Sequence, residues 1–355
     1  MKLHFIFFLI FFLKATLQCG YITHFYISQN AIGESENQVD PTLYNLLSSH
    51  LDTVQLGSCT PDWGYNLLIN KYHDLSDIIH EEGFLYASFD YLKEKYPDFS
   101  DSEAQKYLAY FIGIGGHQTA DIYWHGYNGD PLAFMFQVAK NDFDSDSIDG
   151  IIHQVMEATA DMFIANEHDP HVGLKWWIPA QAVCDVYMRY KEVEVSTTEF
   201  IIGMDVLKVL MVLLKTLNWA GTELGKIIEP WSHANYMTWG HGGIDNCVDM
   251  SVPYYTDAWL YLNDKQSVVL PHFNYVSYPY SNTGDTSFFE NLVPAARELI
   301  DSGIISIDHT QNDDGSVTSE IPHIADFSKF LGLIQRYFGI SALEHLSYQF
   351  LNELI

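Results

Sequence analysis

The sequence is poor in basic residues. Its 355 residues include 17 Lys and Arg against 46 Asp and Glu, which gives a formal net charge of −29. A surface of this sign repels the phosphate backbone that nucleic-acid-binding proteins attract, so no nucleic-acid partner is expected. Bound metal ions can still dominate the field inside an active site, so acidity alone is a weak argument against a nuclease.

Cysteine is also scarce. The four cysteines, Cys19, Cys59, Cys184 and Cys247, are too few and too scattered for a cysteine-rich structural zinc site. In an oxidising compartment they could form one or two disulfides, whose pairing the spacing leaves open. The His-Glu-x-x-His motif of zinc peptidases and the Gly-x-Ser-x-Gly motif of serine hydrolases are absent, so neither enzyme class is supported.

Long apolar runs are lacking beyond the N-terminus. The longest later candidate, Phe200 to Leu217, is interrupted by three charged residues and falls short of the roughly 20 apolar residues that a spanning helix needs. Residues 1–18 combine a basic start with the uncharged run Phe5 to Leu13, which is typical of a secretory signal. The mature chain is therefore expected to begin at Cys19 and to be secreted, or to reside in the lumen of the secretory or endolysosomal pathway.

Helical periodicity dominates the rest of the chain, and a 48% hydrophobic content is ample for a core. The fold is predicted to be all-α: a signal peptide at 1–18, a compact multi-helix catalytic domain at 19–265, and a small helical C-terminal extension at 266–355. The boundary is placed where aromatics, Pro and Ser become frequent, between Gln266 and Gly284. Within the extension, the loop Gln311–Ser316 is expected to separate helical patterns at Phe288–Ser302 and His323–Ile355.

Two sets of titratable residues repeat at steps of four. The members are His117, Asp121 and His125 in the first set, and His153, Glu157 and Asp161 in the second. At about 100° per residue, each set stays on one face of a helix. Imidazoles and carboxylates are the ligands that catalytic zinc takes, whereas burying so many of these groups without a metal would be costly. The sequence therefore favours one polynuclear metal site over a set of unrelated histidines.

Three further candidate ligands lie upstream. They are His24, Asp62 and His73, each weak when taken singly, since a lone His or Asp is more often a hydrogen-bonding group in a loop.

Taken together, the set resembles the zinc-dependent phospholipase C family, and within it the catalytic domain of the glycosylphosphatidylinositol-specific phospholipases D. The similarity covers Cys19 to about Asn263. It rests on Cys19-Gly-Tyr-Ile-Thr-His24, Pro61-Asp62, Tyr72-His-Asp74, the stretch from Phe111 to His125 and His153-x-x-x-Glu157. Together these segments are specific, although no single one is.

The resemblance implies three zinc ions held by nine residues. The corresponding positions here are Cys19, His24, Asp62, His73, His117, Asp121, His125, His153 and Glu157. In this family the first mature residue binds metal through its α-amino nitrogen and carbonyl oxygen, so signal cleavage would be an activation step. The catalytic residues implied are Asp62, His117, Asp121, His125 and His153, with Asp62 also orienting or deprotonating a zinc-bound water. Asp161 is expected to hold His153 or His125 in place.

The implied activity is hydrolysis of a phospholipid headgroup phosphodiester at a transiently bound membrane surface, with glycosylphosphatidylinositol as a candidate substrate. Whether the cleavage is of the C or the D type is left open, because one metal site could serve either orientation of the leaving oxygen. The alternatives are a single-strand-specific zinc nuclease of the same fold, whose mature chain would begin with Trp rather than Cys-Gly, and a non-catalytic secreted zinc-binding protein.

Overall fold

A computed structural model describes residues 20–65, 70–96, 98–145, 148, 150–263, 298–300 and 302–338. The expected signal peptide, Cys19 and all of residues 264–297, with most of the predicted helix at Phe288–Ser302, therefore lie outside the described residues. The helices are α1 Tyr21–Glu34, α2 Pro41–Ser49, α3 Leu51–Cys59, α4 Asn70–His80, α5 Glu82–Lys95, α6 Ser102–His125, α7 Phe134–Asp142, α8 Gly150–Glu167, α9 Ala180–Lys191, α10 Thr197–Ile228, α11 Pro230–Asn235, α12 Ile244–Leu262 and α13 Phe327–Phe338. Short 3-10 helices at Ser35–Asn37 and Thr60–Gly64 follow α1 and α3.

Helix α6 is the central element of the core. It is buried on nearly every side from Ala104 to His125 and packs against α1, α3, α5 and α12. Its closest neighbour is α3, because Gly57 and Gly113 meet where the two helices cross. A Cβ added to Gly57 would lie 2.0 Å from the Tyr110 carbonyl oxygen, and one added to Gly113 would lie 2.2 Å from that of Val54. Only glycine allows this approach, which brings the end of α3 and the 3-10 helix at Thr60–Gly64 alongside the second half of α6.

The second layer is formed by α8 and α10. These two long helices pack against each other, and α8 also contacts α1, so that both faces of α8 are buried along most of its length. Helix α12 packs across α1 and α6 and completes the enclosure. The helical architecture confirms the predicted all-α fold.

The C-terminal segment contains short strands that were not predicted. Strands β1 Trp176–Ile178, β3 His309–Gln311 and β4 Val317–Ser319 form an antiparallel sheet in the order β1-β4-β3, and β2 Ile305–Ser306 pairs with β5 His323–Ile324. The predicted loop Gln311–Ser316 includes the turn that joins β3 to β4. Because β4 pairs with β1, the C-terminal segment is anchored on the helical body. The helix predicted at His323–Ile355 begins only at Phe327, as α13, because His323–Ile324 pairs with β2 as β5; the part after Phe338 is outside the described residues.

Among the described residues, no helix combines the length and the apolar character needed to cross a bilayer.

Candidate metal centre

Buried imidazoles and carboxylates from five elements of the fold converge at one place. Helix α6 supplies three residues and α8 two, while α1, α4 and the 3-10 helix after α3 supply one each. The eight residues are His24, Asp62, His80, His117, Asp121, His125, His153 and Glu157, and none is more than 5% exposed. Seven of them are residues that the sequence analysis proposed as ligands, so most of the proposed set lies together in the fold.

The first group consists of Asp62, His80 and His117. Asp62 Oδ1 lies 3.5 Å from His80 Nε2 and 3.8 Å from His117 Nε2. The two imidazole Nε2 atoms lie 2.9 Å apart. One ion could therefore contact a ligand atom of all three residues.

The second group shares His117 with the first. It adds Asp121, whose Oδ2 lies 3.1 Å from His117 Nε2, and His24, whose Nε2 lies 3.3 Å from Asp121 Oδ1. The rings of His24 and His117 stack at 3.8 Å. Asp121 also approaches His80 and His125, at 3.7 and 3.6 Å. A single carboxylate thus lies between imidazoles of three helices, in a position to bridge ions.

The third group is formed by His125, His153 and Glu157. Glu157 Oε1 lies 3.2 Å from His125 Nε2 and 3.1 Å from His153 Nε2. The i, i+4 spacings on α6 and α8 place the members of each helix on its inner face, as the sequence predicted. The spacing does not predict that His125 of α6 meets His153 and Glu157 of α8, because this contact depends on the tertiary fold.

Hydrogen bonds to backbone carbonyls orient two of the imidazoles. His117 Nδ1 lies 2.7 Å from the Ser58 carbonyl oxygen, and His80 Nδ1 lies 2.6 Å from that of Ser76. A carbonyl can only accept, so each Nδ1 must carry the proton, and in the neutral ring Nε2 is left as a lone pair. Two such lone pairs facing each other at 2.9 Å repel unless a proton or a metal ion lies between them. This donor set fits zinc, which takes neutral imidazole nitrogen and carboxylate oxygen.

The carboxylates support the same conclusion. Among the described residues no hydrogen bond reaches either oxygen of Glu157 or Oδ1 of Asp121, although both side chains are buried. Burial raises the pKa of Glu157 to about 8 and lowers the pKa of His125 to about 3. Burial also disfavours the Asp121 carboxylate, but the surrounding imidazoles outweigh this and hold its pKa well below the usual range. A bound divalent cation would remove the cost of keeping these carboxylates ionised.

His80, which the sequence analysis missed, lies in this centre, whereas the proposed ligand His73 is absent from the three described groups. The ring of His73 instead lies 5.7 Å from that of Tyr65, and the residue is only partly buried. Both histidines are on α4, seven residues apart, which is about two turns and about 10 Å along the axis. They share a face of the helix, so the spacing alone identifies the face but does not distinguish the two histidines.

Asp161 does not have the role that the sequence predicted for it. Its Oδ1 accepts hydrogen bonds from the Thr23 backbone N–H, at 2.8 Å, and from the Thr23 hydroxyl, at 2.9 Å. The carboxylate therefore satisfies the first turn of α1, where backbone donors have no partner within the helix, rather than holding His153 or His125. Since α1 carries His24, Asp161 positions a candidate ligand from a distance.

The remaining cysteines take no part in these groups. Cys59, Cys184 and Cys247 are buried and free, so no disulfide joins any two of them. Cys19, the other expected metal-binding residue, is outside the described residues.

Comparison with known proteins agrees with this site. The zinc dependent phospholipase C family matches residues 23–211, which is more than half of the chain and contains all eight converging residues. No solved structure matches.

Curated relatives match the same part of the chain. Phosphatidylinositol-glycan-specific phospholipase D of Rattus norvegicus is 27% identical over 206 residues, which cover 57% of this chain and 24% of the relative. The proteins of the same name from Bos taurus and Dictyostelium discoideum are 30% and 25% identical, over 48% and 50% of this chain and 20% and 18% of their own lengths. The chain thus spans a quarter or less of the length of these relatives.

The match to the family, over more than half of the chain, bears out the predicted family, and the buried groups that could hold metal agree with the zinc dependence in the family's description. The chain belongs to the zinc-dependent phospholipase C family.

Proposed function

We propose that this chain hydrolyses the headgroup phosphodiester of phospholipids, with three zinc ions bound in the three groups of the candidate metal centre. One observation carries the proposal. Three sets of buried ligand atoms lie next to one another, with His117 common to two of them and Asp121 between them and the third. A cluster of this kind suits a phosphoryl group, because several non-bridging oxygens must be held at once.

Zinc bound there would polarise the phosphoryl oxygens and lower the pKa of a bound water toward 7. The residues of the chain have separate tasks. Ser58 and Ser76 fix His117 and His80 through their carbonyls, so that the Nε2 lone pairs point into the site. Asp62, fully buried and within 4 Å of both imidazoles, is placed to accept a proton from the attacking water and to orient it.

The nine-ligand proposal is adjusted in one position. His80 is added as a candidate ligand on the same helix as His73, and the α-amino group and carbonyl of Cys19 remain the proposed ligands from the N-terminus. The start of α1 supports this, because His24, five residues after Cys19, lies 3.3 Å from Asp121 in the centre. Export with cleavage after residue 18, and glycosylphosphatidylinositol as a substrate, belong to the same proposal; the latter follows from the name of the matched relatives.

The test is an assay of the processed protein on mixed phospholipids and on a glycosylphosphatidylinositol-anchored protein, with and without a zinc chelator. Chelator-sensitive release of phosphatidic acid identifies the D reaction, and release of diacylglycerol identifies the C reaction. Single-stranded DNA and RNA are assayed in parallel. Hydrolysis of nucleic acid alone would favour the nuclease alternative, and zinc binding without turnover of any of these substrates would favour the non-catalytic one.

A further inference from the structure

Two adjacent loops form a surface beside the metal centre. We define the two-loop platform as residues 126–133, which follow α6, and residues 236–243, which precede α12. Two hydrogen bonds join the loops: the Trp239 indole N–H donates to the Leu132 carbonyl at 2.8 Å, and His241 Nδ1 lies 2.9 Å from Asp130 Oδ2. The platform is therefore a fixed surface.

The two-loop platform packs against α6, the helix that carries three of the candidate metal ligands. Gly242 has a φ of +105°, and a Cβ added there would lie 2.1 Å from the Tyr123 carbonyl oxygen, so the second loop contacts the last turn of α6 directly. In the first loop, the ring of Tyr127 stacks on that of His125 at 5.1 Å. A molecule resting on the platform would lie at the edge of the metal centre.

The composition of the platform sets it apart from the rest of this acidic chain. Neither loop contains Lys or Arg, and the one acid, Asp130, is paired with His241. Leu132 is 44% exposed, its carbonyl contacts the partly exposed Trp239, and the same two loops carry the partly exposed Tyr127 and Met237. The ring of Trp231 also packs edge-on against that of Trp239, with ring centroids 5.1 Å apart. Trp and Tyr beside an exposed Leu are the side chains that favour the membrane–water interface.

We propose that the two-loop platform docks this chain on the surface of a zwitterionic phospholipid bilayer and thereby presents the metal centre to its substrate. The inference rests on the proposed function, since the substrate it serves is a membrane lipid. Charge decides the kind of membrane: a chain with a net charge of −29 is repelled by anionic lipids, and the platform offers no basic residue to offset this. Leu132 and Trp239 would enter the headgroup region, and binding would depend on buried apolar area.

The test measures binding of the full chain to phosphatidylcholine vesicles by co-sedimentation, in zinc-containing buffer at physiological ionic strength. Leu132→Asp is expected to weaken binding about tenfold or more, and Leu132→Trp to strengthen it severalfold. Met188→Asp on α9 is the matched control, because Met188 is 45% exposed and lies outside both loops; its binding should match that of wild type. Leu132→Asp vesicle binding equal to that of wild type would overturn the proposal, as would wild-type binding only to vesicles rich in anionic lipid.

A second readout separates this inference from the proposed function. On vesicles, hydrolysis by Leu132→Asp should fall in parallel with binding, whereas hydrolysis of a monomeric short-chain phospholipid should stay at the wild-type rate. If wild type hydrolyses neither form but vesicle binding still follows residue 132, the proposed function fails and the docking surface stands. If Leu132→Asp loses activity equally on both forms, the platform acts on the metal centre and not on membrane binding.

Discussion

Two clusters of buried charged side chains lie in different parts of this molecule. One is the candidate metal centre. The other attaches the C-terminal strands to α10: Lys208 Nζ donates to the Ser319 carbonyl at 3.0 Å, to the Ser319 hydroxyl at 2.6 Å and to the Glu320 carbonyl at 3.0 Å. The Ser319 hydroxyl donates in turn to Asp205, whose other oxygen lies 3.0 Å from His309 Nε2.

The difference between the clusters lies in how their polar atoms are satisfied. Around Lys208, donors and acceptors alternate, and the ammonium has three oxygen partners, so the chain completes the cluster by itself. In the candidate metal centre, carboxylate oxygens and the Nε2 atoms of neutral imidazoles face one another, so acceptors meet acceptors unless a proton or a metal ion lies between them. A buried cluster of the first kind stabilises the fold, whereas one of the second kind indicates a bound cation.

The largest effect should come from Asp121→Asn. This change keeps the size of the side chain but removes the charge between the imidazoles, so phosphodiesterase activity should fall by about a thousandfold or more. Zinc content, measured by atomic emission, should fall with it, while the helical circular dichroism stays near that of wild type. Asp249→Asn, at an exposed position of α12, is the control. Full activity of Asp121→Asn would contradict the assignment of the site.

Lys208→Met should act on stability and not on zinc. The variant leaves the carbonyls of Ser319 and Glu320 and the Asp205 carboxylate without their buried cation, and we expect a loss of about 3 kcal/mol in the free energy of unfolding. Urea denaturation measures it. Zinc bound per folded molecule should be unchanged; a loss of zinc in this variant would mean that the two clusters are not independent.

The pH dependence of stability tests whether the Lys208 ammonium is buried in the second cluster. Burial lowers the pKa of Lys208 to about 7, below its value in an unfolded chain, although Asp205 partly opposes this. Between these two values the unfolded chain binds more protons than the folded one, so stability rises with pH in this window. From pH 7 to pH 10, the free energy of unfolding of wild type should therefore increase relative to that of Lys208→Met. A constant difference between the two proteins across this range would contradict the burial of the ammonium.

The smallest effect is expected from Tyr107→Phe. The Tyr107 hydroxyl donates to the Asp314 carbonyl in the β3–β4 turn at 3.2 Å, and its loss should cost about 1 kcal/mol. Limited proteolysis within residues 312–316 should become faster in this variant, while the metal content and the stability of the helical body change little. A variant with unaltered proteolysis would place the anchoring of the turn in the β1–β4 pairing alone.

Much of the helical body and most of the candidate ligands could be predicted from the sequence. Steps of four residues placed His117, Asp121 and His125 on one face of a helix, because helical geometry depends only on local backbone hydrogen bonds. The strands β3 and β4 were not predicted, because three-residue strands lack a periodic pattern and exist only through pairing. β3 pairs with β4, and β4 pairs in turn with β1, which lies some 140 residues earlier in the chain. His80 was missed for a related reason, since His73 precedes it by two turns on the same helix.

The sequence by itself therefore determined the helices, the ligand types and the faces on which they lie, since these follow from local spacing and side-chain chemistry. Only the tertiary structure decided that His80 approaches Asp62, that Asp161 serves the start of α1, and that Lys208 is completed by the C-terminal strands. The physical reason is that these contacts join segments far apart in the chain. They depend on how closely the helices approach, as at Gly57 and Gly113, and local propensity carries no information about that distance.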